Sequence, residues 1–323
     1  MIPATNTDPL EEYTKWKMAL LVTFNMIVIL IGILGNSFIL YTAMRCREVL
    51  AGCQATLLLI KHLTISDLLC LIFLGIPALT FYLCMSCNVV TMCFYTNYVR
   101  PALTSANFKF VFLVSLLRLF RCIRPRSAMT IQPFLVEVCA VMVYVVSAGE
   151  SVLSYITLRH ANFSLNAHGC HVELSDTVER HIVVVRFIHI GVAMVIPFVG
   201  TIIANVLLWA VACRTTHKLD MKPVIAVSVM SGMILVSWLP FIVYMFQRYI
   251  LHTEFNFAEM EEVAFNLVLL SVASNPIIYT VFNKSLRDYL VARFRRLVRF
   301  VMGPQPVGVS SSVASSSNIA HPR

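Results

Sequence analysis

Long apolar runs dominate the chain. Seven stretches of 20 residues or more carry few or no charges: 18–44, 54–85, 93–123, 130–158, 181–213, 223–249 and 263–282. A helix rises about 1.5 Å per residue, so about 20 apolar residues cross the hydrocarbon core of a bilayer. Backbone polar groups in lipid must be paired within the segment, which favours helices. The pattern predicts an all-α membrane protein, a seven-transmembrane helix bundle.

The segments outside these runs differ in character. Residues 1–17 are polar and predict an extracellular N-terminus before the bundle of residues 18–282. Residues 283–301 place apolar side chains at helical spacing between arginines, which predicts a short amphipathic eighth helix on the membrane surface. Residues 302–323 are Ser-rich and of low complexity, so we expect a disordered cytoplasmic tail.

Charge sets the expected orientation. Only 13% of the residues are charged and 59% are apolar, yet the net charge is +9. One side of the predicted membrane holds 16 Lys and Arg against three acids, while the opposite side is acid-rich. By the positive-inside rule the N-terminus is extracellular and the C-terminus cytoplasmic. The basic excess therefore indicates orientation, and nucleic-acid binding is not expected. No cleavable signal peptide is evident, so the first helix is expected to direct its own insertion.

Motifs within the spans resemble those of rhodopsin-like (class A) G-protein-coupled receptors. The segment from Asn275 to Tyr279 reads Asn-Pro-Ile-Ile-Tyr and resembles the NPxxY signature. The other matches are Ser237-Trp238-Leu239-Pro240 to CWxP, Gly35-Asn36 to the first-helix GN pair, Leu63 to Asp67 to LxxxD, and Pro197 to the fifth-helix proline. The resemblance covers residues 18 to 300. It implies a plasma-membrane receptor that activates a heterotrimeric G protein and that arrestin can bind.

Two positions depart from that family. Arg118 stands at the arginine of the DRY motif, but Leu117 and Leu119 replace its acid and tyrosine. The fourth span also lacks the family's tryptophan. Asp220, at the start of the sixth span, is either an ion-pair partner of Arg118 in the closed state or only a helix N-cap.

The resemblance, together with the inward position expected of polar side chains in a helix bundle, predicts roles for three groups of residues. The ligand pocket would be lined by Arg100, Thr104, Trp238, Phe241, Tyr244, Gln247, Phe265 and Leu269. The activation switch would comprise Arg118, Asp220, Pro240, Asn275, Pro276 and Tyr279. A polar centre at mid-membrane would comprise Asn36, Asp67, Asn107, Ser271 and Asn275. That centre is either a sodium site, as in the family, or a hydrogen-bonded packing node; no other cofactor or metal is expected.

The resemblance also implies a disulfide between Cys93 and Cys170, and Asn162-Phe163-Ser164 is an N-glycosylation acceptor. Cys84 and Cys87 lie on the same outer side and either bridge each other or stay reduced.

Two charged residues in the third span carry information of their own. Arg100 lies on the inward face, and a buried guanidinium needs an anionic or carbonyl partner. That partner is either a ligand or an internal acid, Glu150 or Glu262. Lys109 comes nine residues after Arg100 and therefore faces the opposite side of the third helix. We predict that it pairs with Glu137 of the fourth span.

The sequence thus favours a receptor, and no enzymatic constellation is present. An acid-rich outer surface above Arg100 favours a peptide ligand, while a lipid or a small organic molecule sensed by a chemosensory receptor is the alternative. Leu117 and Leu119 keep open a receptor-fold protein that is constitutively active or does not signal, such as a decoy, scavenger or heterodimer partner. A transporter is disfavoured because no internal repeat is visible.

Overall fold

The computed structural model describes residues 9–45, 54–83, 94, 98–124, 131–158, 162–166, 169–173, 191–214, 221–246, 257–282, 287–288, 291–292 and 295. The chain divides into two compact units, Met1–Asn283 and Lys284–Arg323. In the second unit, Arg287, Asp288, Val291, Ala292 and Arg295 are helical and exposed. They fall within the predicted amphipathic helix.

Seven long helical segments occur among the described residues. They are α1 (Pro9–Arg45), α2 (Gln54–Cys70, Leu71–Gly75 and Ile76–Leu83 in succession), α3 (Arg100–Ile123), α4 (Pro133–Leu158), α5 (Gly191–Val195 and then Ile196–Arg214), α6 (Met221–Phe246) and α7 (Phe257–Phe282). Each falls on one of the seven apolar runs of the sequence.

Five of these helices are long and apolar enough to cross a membrane. The qualifying stretches, within the residues that are described, are Trp16–Met44, Gln54–Thr80, Pro133–Leu153, Gly191–Arg214 and Val263–Val281. A shorter apolar stretch, Ser231–Pro240, lies in α6. The prediction of helices long and apolar enough to span a membrane is confirmed for these five segments, and a bundle of seven membrane-spanning helices stays a prediction.

Prolines explain two irregular turns. Leu71–Gly75 in α2 and Gly191–Val195 in α5 are π-helical, and each lies immediately before a helical turn that contains a proline, Pro77 or Pro197. Proline lacks an N–H and its ring crowds the carbonyl four residues earlier. A wider π turn at that point accommodates both defects and lets the helix continue.

Helix α3 lies at the centre of the packing. It contacts α2, α4, α5 and α6, while α1 contacts α2 and α7, and α6 contacts α5 and α7. The largest fully buried side chain of the described residues, Phe110, belongs to α3, and Val111 and Val114 are also buried there. Small residues allow the closest approaches: a methyl group at Gly200 of α5 would lie 2.5 Å from the ring of Phe112. The backbone of α5 at Gly200 therefore packs directly against the Phe112 ring of α3.

The outward faces of the helices remain apolar. In α4, Phe134 is 74% exposed and Val145 57%, and α1 exposes Leu20 and Leu34 to a similar degree. Soluble monomers rarely expose contiguous apolar surface of this extent. A lipid environment satisfies such a surface.

A short β-hairpin, which we had not predicted, follows α4. Strands β1 (Asn162–Asn166) and β2 (Gly169–Glu173) pair antiparallel, with Leu165 opposite Cys170. The alternation of polar and apolar residues from Asn162 to Asn166, followed by Gly169, was the available signal.

Candidate functional site

Asp67 of α2 joins three helices through its carboxylate. Asn107 of α3 donates to Oδ1 at 2.6 Å, and Asn275 of α7 donates to Oδ2 at 2.8 Å. Asp67 is fully buried, and both asparagines are almost so. Two amide donors compensate the carboxylate for the loss of water. The segment that resembles LxxxD and the segment that resembles NPxxY thus meet directly.

The other members of the predicted polar centre, Asn36 and Ser271, lie on α1 and α7. Asn36 of α1 donates to the carbonyls of Gly32 at 3.0 Å and of Val272 at 3.4 Å, which ties α1 to α7. Ser271 of α7 is 1% exposed. Within the described residues, Asn36 Oδ1, Ser271 Oγ and Asn275 Oδ1 are buried and have no hydrogen-bond partner. A carboxylate with further oxygens in need of partners suits a hard cation or a water molecule. The residues present therefore fit a sodium ion, and they fit a hydrogen-bonded packing node completed by water equally well.

The predicted ligand pocket is described only in part. The guanidinium of Arg100 lies over the ring of Phe265, 4.9 Å from its centroid, a cation–π distance. Thr104 donates to the carbonyl of Arg100 in its own helix at 2.8 Å. Leu269 is 1% exposed and belongs to the apolar core.

Trp238 of α6 is buried and packs on Phe108 of α3, with ring centroids 4.4 Å apart. The side chains of Phe241 and Tyr244, and all of Gln247, lie outside the described residues. Of the two internal acids considered for Arg100, Glu150 is held by a different cation, and the side chain of Glu262 is not described.

The predicted switch residues also have mixed outcomes. Pro240 lies inside α6 and Pro276 inside α7, where Gly35 of α1 leaves room for the proline ring. Within the described chain the hydroxyl of Tyr279 is buried without a hydrogen-bond partner. Arg118 is half-buried between Leu117 and Leu119, each 9% exposed. Asp220 lies outside the described residues, so its pairing with Arg118 stays a prediction.

The predicted Lys109–Glu137 pair is wrong. Lys109 Nζ lies 2.8 Å from both carboxylate oxygens of Glu150, and it also donates to Ser105 and, at 3.3 Å, to Ser147. Depth explains the correction: Lys109 is 14 residues from the end of α3 at Ile123, about 21 Å, whereas Glu137 is only about 6 Å from the start of α4. Helices α3 and α4 run in opposite directions, so Glu150 lies level with Lys109.

Glu137 instead binds α2. Its Oε2 lies 2.6 Å from His62 Nε2, and its Oε1 lies 3.8 Å from Lys61 Nζ. The hydroxyl of Tyr144 donates to the carbonyl of His62 at 3.1 Å. Both acids of α4 thus have a basic partner, each on a different neighbouring helix.

A second polar cluster, which sequence reasoning missed, joins α3, α5 and α6. The hydroxyls of Ser115 and Ser231 are 3.2 Å apart, and Asn205 Nδ2 donates to Ser115 at 3.4 Å. Nearby, the indole N–H of Trp209 in α5 donates to Ser228 of α6 at 2.7 Å. These bonds form the α3–α5–α6 latch: Ser115, Asn205, Trp209, Ser228 and Ser231. Polar residues three or four positions apart on apolar helices, such as Ser228 and Ser231, were the signal.

The predicted extracellular modifications are not resolved by the structure. Cys84, Cys87 and Cys93 lie outside the described residues, and Cys170 and Asn162 are described only as strand positions in β2 and β1. Cys70, Cys122, Cys139 and Cys213 are reduced.

No protein-family model matches this sequence, and no curated protein matches it.

Proposed function

We propose that the protein is a G-protein-coupled receptor of the rhodopsin-like kind, a seven-helix membrane bundle with its N-terminus outside the cell. The observation that carries this proposal is the contact of Asp67 with Asn107 and Asn275, which bridges residues 208 positions apart. A buried carboxylate in a membrane segment is costly and indicates function. Here it couples α2, α3 and α7 at the two motifs on which the resemblance depends.

The proposed mechanism is a population shift between closed and open arrangements of α6. Pro240 gives α6 a point of bending, and Trp238 beside Phe108 connects that point to the centre of the bundle. On the proposed cytoplasmic side of Trp238, the α3–α5–α6 latch holds α6 against α3 and α5. Opening α6 requires those bonds to break, so a ligand must favour the open arrangement by a comparable free energy.

The polar centre is proposed to hold sodium in the closed arrangement. Asp67, Ser271 and the side-chain oxygens of Asn36 and Asn275 would be its oxygen ligands. The ion would supply a positive charge that balances the buried carboxylate.

We propose a peptide as the ligand. The guanidinium of Arg100 at the start of α3 lies over Phe265, and in this proposal a carboxylate of the peptide would pair with it. The acid-rich outer segments would attract the basic residues of such a peptide.

The decisive experiment measures G-protein dissociation in cells by resonance energy transfer, without added ligand and with a panel of peptides. The proposal expects a basal or peptide-driven signal that Arg118→Ala removes at equal surface expression. Leu117→Ala is the matched control in the same helical turn and should preserve the signal.

A second candidate is a receptor-fold protein that binds a ligand without signalling. The observation that favours it is that both neighbours of Arg118 in α3 are buried leucines, so the family's local acid is missing. Saturable peptide uptake with no G-protein dissociation in either the native chain or Arg118→Ala would support this candidate.

A further inference from the structure

Two oppositely charged side chains on the outside of the helix packing keep substantial exposure. The side chain of Lys61 on α2 is 31% exposed and that of Glu137 on α4 is 39% exposed. A second ion pair within the described helices, Lys109 with Glu150, is 13% and 10% exposed. The Lys61–Glu137 pair therefore faces the surroundings of the protein, whereas the Lys109–Glu150 pair faces the neighbouring helix.

In the proposed orientation those surroundings are lipid of the inner leaflet. Phe134, Leu135 and Val138, which flank Glu137 on α4, are apolar and at least 40% exposed, as expected of a lipid-facing surface. Glu137 lies four residues after the start of α4 at Pro133, or about 6 Å along the helix axis. In the proposed orientation this places the pair near the phosphates of the inner leaflet.

The hydrogen bonding of the pair is incomplete. Oε2 of Glu137 is occupied by His62 Nε2 at 2.6 Å, but Oε1 is 3.8 Å from Lys61 Nζ. A charge-assisted N–H···O bond is about 2.7 to 2.9 Å long, so this contact is an ion pair without a direct hydrogen bond. Among the described residues no hydrogen bond reaches Oε1 or Lys61 Nζ. A ligand can therefore donate to the first and accept from the second.

His62 fixes the carboxylate from the inside. Its ring stacks on Phe110 with an interplanar angle of 12° and lies against Tyr144. Within the described residues Nδ1 of His62 is buried without a partner, so the polar contact of this ring is the one that Nε2 makes with Glu137. The position of Glu137 is thus set before any ligand binds.

We propose that Lys61 and Glu137 bind the phosphoethanolamine headgroup of an inner-leaflet phospholipid. The lipid phosphate accepts from Lys61 Nζ, and the primary ammonium donates to Oε1 of Glu137. The quaternary ammonium of phosphatidylcholine has no N–H to donate. The headgroup of phosphatidylglycerol is anionic and has no ammonium group that could pair with the carboxylate of Glu137. The net-neutral pair therefore selects a zwitterion with N–H donors.

This inference rests on the membrane orientation in the proposed function and not on signalling. The test is native mass spectrometry of the full-length protein in detergent with equal amounts of phosphatidylethanolamine, phosphatidylcholine and phosphatidylglycerol. We expect preferential retention of phosphatidylethanolamine. Glu137→Gln should lower that retention by about tenfold, the effect of losing one charge-assisted hydrogen bond.

Lys61→Gln keeps the His62–Glu137 contact and tests the phosphate contact alone, so it serves if Glu137→Gln does not fold. Lys61→Gln should lower the retention of phosphatidylethanolamine. The control is Lys17→Gln, which removes an exposed lysine near the N-terminal end of α1 and should leave that retention unchanged.

Equal retention of phosphatidylethanolamine and phosphatidylcholine by the native protein would overturn the proposal. Preferential retention of phosphatidylglycerol that depends on Lys61 would also overturn it, because the site would then select anionic lipid. Lipid selectivity without G-protein dissociation would separate this inference from the receptor proposal, since the first would hold and the second fail.

Discussion

At the scale of single residues, charges buried in the helices decide which helices neighbour each other. The sequence showed that Lys109 needs a partner on another helix, because a lone ammonium in a membrane segment is costly. It pointed to the wrong acid, Glu137, because the depth of that residue in α4 was overestimated. Helix rise counted from the ends of α3 and α4 as they occur in the structure resolves the choice in favour of Glu150.

Charge reversal tests this pairing. Lys109→Glu would place two acids in contact, and breaking a buried pair costs about 3 to 5 kcal/mol, so we expect little folded protein. Combining Lys109→Glu with Glu150→Lys should restore the yield of monodisperse protein in size-exclusion chromatography.

The matched control combines Lys109→Glu with Glu137→Lys, the pairing that the sequence had suggested. This second combination should be no better than Lys109→Glu alone. Rescue by Glu137→Lys but not by Glu150→Lys would contradict the structure.

At the scale of helices and strands, apolar runs predict helices well because length and apolarity are local properties. All seven helical segments fall on predicted runs, and Pro77 and Pro197 account for the two π turns. The β-hairpin from Asn162 to Glu173 was missed, because its alternating pattern is short and lies between two long apolar runs. The polar positions of the α3–α5–α6 latch, such as Ser228 and Ser231, were visible in the sequence, but their partners were not, since these depend on which faces of three helices meet.

The latch makes a prediction about opening of α6. Ser231→Ala with Trp209→Phe removes the bond to Ser115 and the indole donor to Ser228. Each neutral hydrogen bond contributes about 1 kcal/mol, so the closed arrangement loses roughly tenfold or more of its preference. Basal G-protein dissociation should rise several-fold at equal surface expression.

Ser237→Ala is the control for this pair of changes. Ser237 also lies in α6, but its hydroxyl donates at 2.7 Å to the carbonyl of Met233 in the same helix. That variant should signal at the native basal level. If the latch variant signals no more than Ser237→Ala, the latch does not restrain α6.

At the scale of the whole molecule, one buried carboxylate connects segments far apart in the sequence. The motifs around Asp67 and Asn275 were recognisable because each is a local pattern on one helix. The sequence also brought Asp67, Asn107 and Asn275 together as a group, since inward-facing polar residues of a bundle collect at its centre. It did not show which amide donates to which oxygen, nor that Asn36 is bonded to α7 rather than to Asp67.

Exchanging acid and amide tests that connection. Asp67→Asn replaces one accepting oxygen by an NH₂ group, which would face the NH₂ group of Asn107 or of Asn275. Losing one hydrogen bond to a charged group costs about 1.5 to 3 kcal/mol, so the Tm of the purified protein should fall by about 3 to 6 °C. Thermal unfolding followed by thiol-reactive fluorescence measures this change.

Combining Asp67→Asn with Asn275→Asp returns an amide and a carboxylate to the α2–α7 contact and should recover part of the loss. Ser274→Ala is the control, because Ser274 of α7 donates to the carbonyl of Ser271 in its own helix at 2.7 Å and, at 3.9 Å, to the sulfur of Met233 in α6, and has no bond to α2 among the described residues. It should leave the Tm within about 1 °C. A double variant no more stable than Asp67→Asn would show that the charge of Asp67, rather than its contact with Asn275, holds α2 and α7 together.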